Sequence, residues 1–173
     1  MLHLFTGKDG ISPSGNLLFD RTGSLYGTTS GGGQYGRGAV FEMAPQSNGP
    51  WKEKLLYSFN GIDGAEPASL IFDATGNLYG TTQYGGASGP RCSAYGCGTA
   101  FKLTPGANGK WKEKVLHIFG SGEDGYLPEG GLIFDKAGNL YGSTASGGSF
   151  DGGTVFVKSR LRRKKHQRDA RDD

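Results

Sequence analysis

The sequence has few of the residues that most catalytic and metal sites need, with only 2 cysteines and 3 histidines among 173 residues. No apolar run is long enough to span a bilayer, so no transmembrane helix is predicted. No window keeps an apolar period of 3.6 residues, so we expect almost no helix. There is no Gly-x-Ser-x-Gly segment and no evident Ser/His/Asp set that would indicate a hydrolase nucleophile. The fold must therefore be built from strands and turns.

Glycine is the residue in excess, with 33 copies, or nearly one in five against a usual share of about 7%. A Gly-X-Y period is absent, which excludes collagen. The glycines lie between short β-branched and aromatic runs, a pattern typical of many strands joined by tight turns. The length is enough for one domain that buries about 70% of its unfolded surface.

One stretch occurs three times, at residues 17–29, 70–82 and 132–144, and its second copy reads LIFDATGNLYGTT. In each copy an apolar run ends in Asp and a Gly follows three residues later. This spacing predicts a β-hairpin closed by a type I turn and a glycine bulge. Asp20, Asp73 and Asp135 are therefore interpreted as turn residues. A ring of catalytic or calcium-binding carboxylates is the alternative, but no copy has the run of oxygen ligands that calcium prefers.

A longer unit repeats around each hairpin. Trp51 and Trp111 begin the matching segments WKEKLLYSF and WKEKVLHIF, and a GTxF-type strand precedes each of them. Each unit thus has four sequential strands, which is typical of a propeller blade. The Lys and Glu side chains of the WKEK strand fit an exposed outer edge. We predict an all-β, β-propeller-like array of about three four-stranded blades in an incomplete ring.

The domain prediction is a repeat domain over residues 1–157, with units at about 1–50, 51–110 and 111–157, followed by a tail at 158–173. The tail holds 8 of the 19 basic residues and 3 of the 16 acidic ones, which gives it a net charge of +5. We predict a disordered or weakly helical segment there. The three aspartates and the lack of an aromatic residue for base stacking argue against specific nucleic-acid binding.

The motifs LIFDxxGNLYGTT, GTxFKLTP and WKEKxLxxF closely resemble the bacterial GloVer tandem repeats of choice-of-anchor surface proteins. The resemblance covers residues 2–157. It implies a β-propeller-like fold and an extracellular or cell-surface location, and it carries over no catalytic residue. The sequence opens directly on repeat sequence with no visible signal peptide, so a cytoplasmic chain, or one without its beginning, is the alternative expectation.

Cys92 lies in an insertion at residues 90–96 that only the second unit has, and Cys97 directly follows it. We consider three interpretations: a local disulfide, two free thiols and a pair of metal ligands. Structural zinc needs four ligands, and no further His or Cys lies near this pair in the sequence. An oxidising compartment favours the disulfide. The loop from residue 84 to 98 is the longest in the chain, so Tyr84, Arg91 and Tyr95 are the candidate binding side chains.

His3 and His117 occupy the same repeat position, where the middle copy has Tyr57. A metal ligand or general base would not be replaced so freely by tyrosine. The three side chains are interpreted as amphipathic rings packed between blades. Asp-Gly turns follow each of them, at Asp9, Asp63 and Asp124.

The leading functional hypothesis is a non-catalytic repeat module, an interaction or structural protein with an unknown protein or glycan ligand and with no cofactor or metal. The alternatives are a propeller-type hydrolase or lactonase that needs a metal, and a non-functional fragment of a longer repeat protein. A homodimer is also predicted. Residues 2–5 align with the end of a WKEK strand, and the third unit lacks its own. Two chains that exchange ends would pair all of these edges.

Overall fold

The computed structural model describes residues 1–86, 89, 92, 94–120 and 123–159. These residues hold eleven strands and one short 3-10 turn, Ala107–Gly109, which confirms the all-β prediction. No helix in this part of the chain is long and apolar enough to cross a membrane. The strands are β1 Ile11–Phe19, β2 Leu25–Gly31, β3 Ala39–Ala44, β4 Lys52–Ser58, β5 Ala65–Phe72, β6 Leu78–Tyr84, β7 Thr99–Pro105, β8 Trp111–Ile118, β9 Ile133–Phe134, β10 Leu140–Thr144 and β11 Thr154–Lys158.

The strands form three antiparallel sheets in which neighbours in sequence are neighbours in space. Blade 1 is β1-β2-β3-β4, blade 2 is β5-β6-β7-β8, and blade 3 is β9-β10-β11. This succession of meander sheets is the β-propeller-like array predicted from the repeats. The sheets do not have the boundaries of the predicted sequence units. The second and third units begin with a WKEK strand, whereas in the structure each WKEK strand pairs with the strand before it and is the last strand of the preceding sheet. The predicted tail lies outside the described residues from residue 160 onward.

The hairpin that opens each blade has the predicted turn. The Asp20 backbone N–H donates to the Ser24 carbonyl at 2.9 Å, and its carboxylate accepts the Thr22 and Ser24 backbone N–H groups at 2.8 and 2.9 Å. Gly23 has a φ of +86°, which a residue with a Cβ seldom adopts. The equivalent bonds recur at Asp73 and Asp135, so local chemistry alone builds this turn.

Consecutive blades are joined by a phenylalanine that leaves the end of one sheet and packs on the next. Phe59 follows β4 of blade 1, and its ring meets that of Phe101 in blade 2, with ring centroids 4.9 Å apart. Phe119 repeats this contact with Phe156 of blade 3 at 4.9 Å. Both Phe59 and Phe101 are fully buried. The blades therefore share their cores.

The N-terminal segment differs from its prediction as a strand. Residues 2–5 have no strand assignment, because no neighbouring strand in the described part of the chain pairs with them. Phe5 nevertheless packs on Phe41 of blade 1, with centroids 5.0 Å apart. It therefore makes the same contact that Phe59 makes with blade 2.

Backbone hydrogen bonds also cross between blades from residues in the left-handed conformation. Glu66 has a φ of +54° and Leu127 a φ of +57°. Their N–H groups donate to the carbonyls of Arg37 and Cys97, each at 3.0 Å. Ser12, at the same place in blade 1, has a φ of +55°. A non-glycine residue here costs strain energy, so the inter-blade bond must stabilise it.

Gly80 offers a direct test of how tightly the blade core is packed. A Cβ added there would lie 2.5 Å from the Phe101 ring and 2.8 Å from the Ser69 carbonyl oxygen. We expect Gly80→Ala to lower the free energy of unfolding by about 1–3 kcal/mol, because the ring must shift in a full core. Urea unfolding measures this loss. Gly131→Ala is the control, since its Cβ would meet nothing within 4 Å; an equal loss in both variants would contradict the packing described.

Candidate functional site

The rings at the repeated His/Tyr position each hold the aspartate of the following Asp-Gly turn. His3 Nε2 and Asp9 Oδ2 are 2.7 Å apart, the Tyr57 hydroxyl donates to Asp63 at 2.5 Å, and His117 Nε2 lies 2.8 Å from Asp124 Oδ2. Histidine and tyrosine both present a polar atom at the tip of a flat ring, which explains why they exchange. The arrangement anchors a loop in every blade. No group of three or more His, Cys, Asp or Glu side chains with metal-binding geometry occurs among the described residues.

Two glutamates of the outer strands face these pairs, although the sequence predicted them as exposed edge charges. Lys52 and Lys54 are exposed, but Glu53 between them is half-buried. Glu113 is its counterpart in blade 2, and one of its carboxylate oxygens is buried without a hydrogen-bond partner in the described part of the chain. Burial, and then the charge of Asp63, raise the pKa of Glu113 to about 7. The alternation of Lys and Glu was the signal, because it puts the Glu on the inner face.

The loop predicted to bind a ligand carries a disulfide between Cys92 and Cys97, whose Cα atoms are 4.8 Å apart. Cys97 is fully buried and clusters with Phe119. A Cβ added at Gly120 would lie 2.7 Å from the Cys92 sulfur. The disulfide therefore packs into the junction between blades 2 and 3, and Gly120 makes room for it.

The candidate binding side chains of this loop lie partly together. The rings of Tyr84 and Tyr95 are in edge contact, with centroids 6.1 Å apart, and Tyr95 is 65% exposed. Arg91 lies outside the described residues. A hollow of about 270 Å³ beside Tyr95 is lined mostly by backbone and small side chains, with Arg37 at its side. It offers few side-chain groups that could hold a ligand.

A larger cleft, here called the turn-end cleft, lies between the hairpin turns of blades 1 and 2. Its volume is about 580 Å³. The Tyr26 ring makes edge contacts with Phe72 at 5.0 Å and with Trp111 at 6.4 Å between centroids. Four aromatic side chains and the two turn aspartates line it, together with one arginine: Phe19, Tyr26, Phe72, Trp111, Asp20, Asp73 and Arg21.

The carboxylates of the turn-end cleft are held ionised by the turns. Burial opposes the ionisation of Asp73, but hydrogen bonds from Asn77 and Thr75 outweigh it and lower its pKa to about 2. The pKa of Asp20 is lowered in the same way by Thr22 and Ser24, against the effect of burial. Two fixed anions cannot donate a proton near neutral pH. The cleft is thus suited to accept hydrogen bonds from a ligand and to stack against it.

Sequence reasoning missed the turn-end cleft. Its aromatic members come from the end of β1, the start of β2, the end of β5 and the start of β8, which are far apart in the chain. Trp111 carried the only signal, because a large aromatic residue at a strand start is seldom fully exposed.

The family model of the Gloeobacter/Verrucomicrobia repeat matches residues 1–156. No curated protein matches the chain.

Two solved structures are similar in fold. One is a streptogramin B lyase, at 14% identity and a TM-score of 0.49 over 93% of this chain and 44% of that one. The other is a candidate gluconolactonase, at 16% identity and a TM-score of 0.46 over 83% of this chain and 47% of that one. The chain thus spans less than half the length of either protein.

We expect the Cys92–Cys97 disulfide to form in purified, air-oxidised protein and to stabilise it only modestly. The loop that it closes is short, so its contribution should be below the roughly 3 kcal/mol expected for a 15-residue loop. Thiol titration after unfolding should find no free thiol before reduction and two afterwards. Two free thiols in the oxidised, unfolded protein would contradict the bond.

Glu113 predicts a pH dependence of stability. Its pKa in the folded state is raised to about 7 from a usual value of 4.5. The folded protein therefore binds this proton more tightly than the unfolded chain does. The free energy of unfolding falls as the pH rises from 4.5 through about 7. Glu113→Gln should raise the melting temperature above neutral pH and change it little in mild acid. Glu66→Gln, at an exposed glutamate, is the control; the same pH-dependent gain in both variants would contradict the role of burial.

Proposed function

Because the chain belongs to the Gloeobacter/Verrucomicrobia repeat family, we propose that it is a non-catalytic interaction module that works at the cell surface or outside the cell. Repetition is the observation that carries this proposal. Asp20, Asp73 and Asp135 all hold the same turn through the same bonds. An enzyme on such a scaffold needs different groups from different blades to converge on one reacting atom, whereas these charged groups serve each blade alike.

The location outside the cytoplasm is supported by the covalent chemistry of the second blade. The Cys92–Cys97 bond packs into the core between blades 2 and 3. Disulfides of this structural kind persist in oxidising compartments and are rare in the cytoplasm.

The ligand of this module is proposed to be a glycan bound in the turn-end cleft. Sugar rings present C–H groups that pack on aromatic faces, and their hydroxyls donate hydrogen bonds to carboxylates. The cleft provides both, with Trp111 and Phe72 as faces and Asp20 Oδ2, which accepts a long hydrogen bond of 3.3 Å from the Tyr26 hydroxyl, as an acceptor. Its volume of about 580 Å³ falls in the range of small-ligand sites, roughly 300–1,000 Å³.

Binding to an oligosaccharide array, followed by calorimetry with the best oligosaccharide, tests the glycan proposal. Trp111→Ala should weaken binding at least about tenfold, equivalent to about 1.4 kcal/mol, because it removes a stacking face. Arg21→Ala changes an exposed residue at the mouth of the cleft and should weaken binding without a change in melting temperature. Tyr95→Ala is the matched control in the loop of blade 2, and Lys136→Ala changes the turn position of blade 3 that corresponds to Arg21.

Loss of binding in Tyr95→Ala with wild-type binding in Trp111→Ala would contradict the cleft and favour the loop. No saturable binding to any glycan would contradict the ligand class. The rival hydrolase or lactonase is tested on the same preparation, incubated with lactones and oligosaccharides in the presence of each common divalent metal. Turnover above the protein-free blank would overturn the non-catalytic proposal.

A further inference from the structure

The face of blade 3 that points away from blade 2 exposes apolar side chains at positions that are more buried in the other blades. Val155 of β11 is 82% exposed, whereas Val40 and Ala100 at the same position of blades 1 and 2 are 0% exposed. Ile133 of β9 is 66% exposed. Its counterparts Leu18 and Ile71 are partly buried, and Val40 clusters with Leu70 and Phe101 of the following blade.

The face of blade 1 that points away from blade 2 also exposes an apolar side chain that the other blades bury. Leu17 is 56% exposed, whereas its counterparts Leu70 and Leu132 are 3% and 6% exposed. Leu70 clusters with Tyr26 and Val40 of the preceding blade. The exposed face of blade 3 therefore corresponds to one side of the junction between two blades, and the exposed face of blade 1 corresponds to the other side. That junction occurs twice within the chain, between blades 1 and 2 and between blades 2 and 3.

The edge of β11 and the N-terminal segment match in the same way. Val40 pairs with Tyr57 across β3 and β4, and Ala100 pairs with His117 across β7 and β8. By repeat position the partner of Val155 is His3. Residues 2–5 have no strand partner in the described part of the chain, and Leu4 is 65% exposed.

We propose that two copies of the chain join head to tail. Residues 2–5 of each copy add to β11 of the other as the fourth strand of its blade 3, and this blade 3 packs on blade 1 of the first copy. A twofold axis generates this contact between blade 3 of one copy and blade 1 of the other twice, which closes the assembly. Two copies of three sheets give six blades, within the range of about four to eight that closed propellers use.

The internal interfaces specify which contacts the new one should make. Tyr26 meets Phe72 and Tyr79 meets Phe134, each with centroids 5.0 Å apart. The next contact in the series joins Tyr141 of one copy to Phe19 of the other. Ser12 has the same left-handed φ as its counterparts Glu66 and Leu127, so its N–H is set to donate to the carbonyl of residue 152 in the other copy.

Light scattering on the full chain after size exclusion, at micromolar concentration, tests the assembly. We expect a mass twice the 18.2 kDa of one chain. Val155→Lys and Leu17→Lys should each yield monomers, because a charge would be buried at the interface, and both side chains are exposed in a single copy. Ile62→Lys is the control, at a branched side chain that is 81% exposed but lies outside both end faces; it should remain dimeric.

A mixture of Val155→Lys and Leu17→Lys distinguishes the head-to-tail arrangement from any other. One copy then has an intact blade 3 face and the other an intact blade 1 face, so one interface is restored and a heterodimer should form. A monomeric wild-type chain, including one whose own residues 160–173 cover β11, would overturn the proposal. So would dimers that survive both lysine variants, or a mixture that stays monomeric.

Discussion

The fold depends on one contact, the phenylalanine that ends the fourth strand of a blade and packs inside the next. Phe59 follows the last strand of blade 1 in sequence, but its side chain is fully buried against Phe101 of blade 2. A single four-stranded sheet cannot bury both of its faces in water. Each blade therefore needs its neighbour, and the array gains stability only as blades are added. The ring–aspartate pairs fix the direction of the chain just after this phenylalanine, which places the next sheet.

The sequence was sufficient wherever a few adjacent residues decide the structure. The hairpin turns could be predicted because Asp73 and Gly76 make that turn with their own neighbours. The left-handed Leu127 could not, because its conformation is held by a carbonyl of the preceding blade and nothing in the local sequence favours it. The turn-end cleft was missed for the same reason, since Trp111 meets Tyr26 only after two sheets have packed.

Glu53 and Glu113 show that a raised pKa has to be compared between repeats before it is taken as a sign of an active site. A buried carboxyl with a raised pKa, such as that of Glu113, is a common sign of an active site. Here Glu53 has the same position in blade 1, and burial raises its pKa as well. A feature that returns in each complete blade belongs to the scaffold. The departures from the repeat, rather than the perturbed groups, are where a specific function has to be sought.

The disulfide of blade 2 is such a departure, and it packs into the junction with blade 3. Trp111 repeats Trp51 in sequence but differs from it in surroundings, because it packs against Tyr26 of blade 1 and lines the turn-end cleft. The rings that lock two blades together are thus the rings that a ligand in the cleft would touch. A ligand that binds only the packed blades stabilises them by mass action. If the cleft binds a glycan, binding and blade packing must be coupled, and the module would be most rigid when it is occupied.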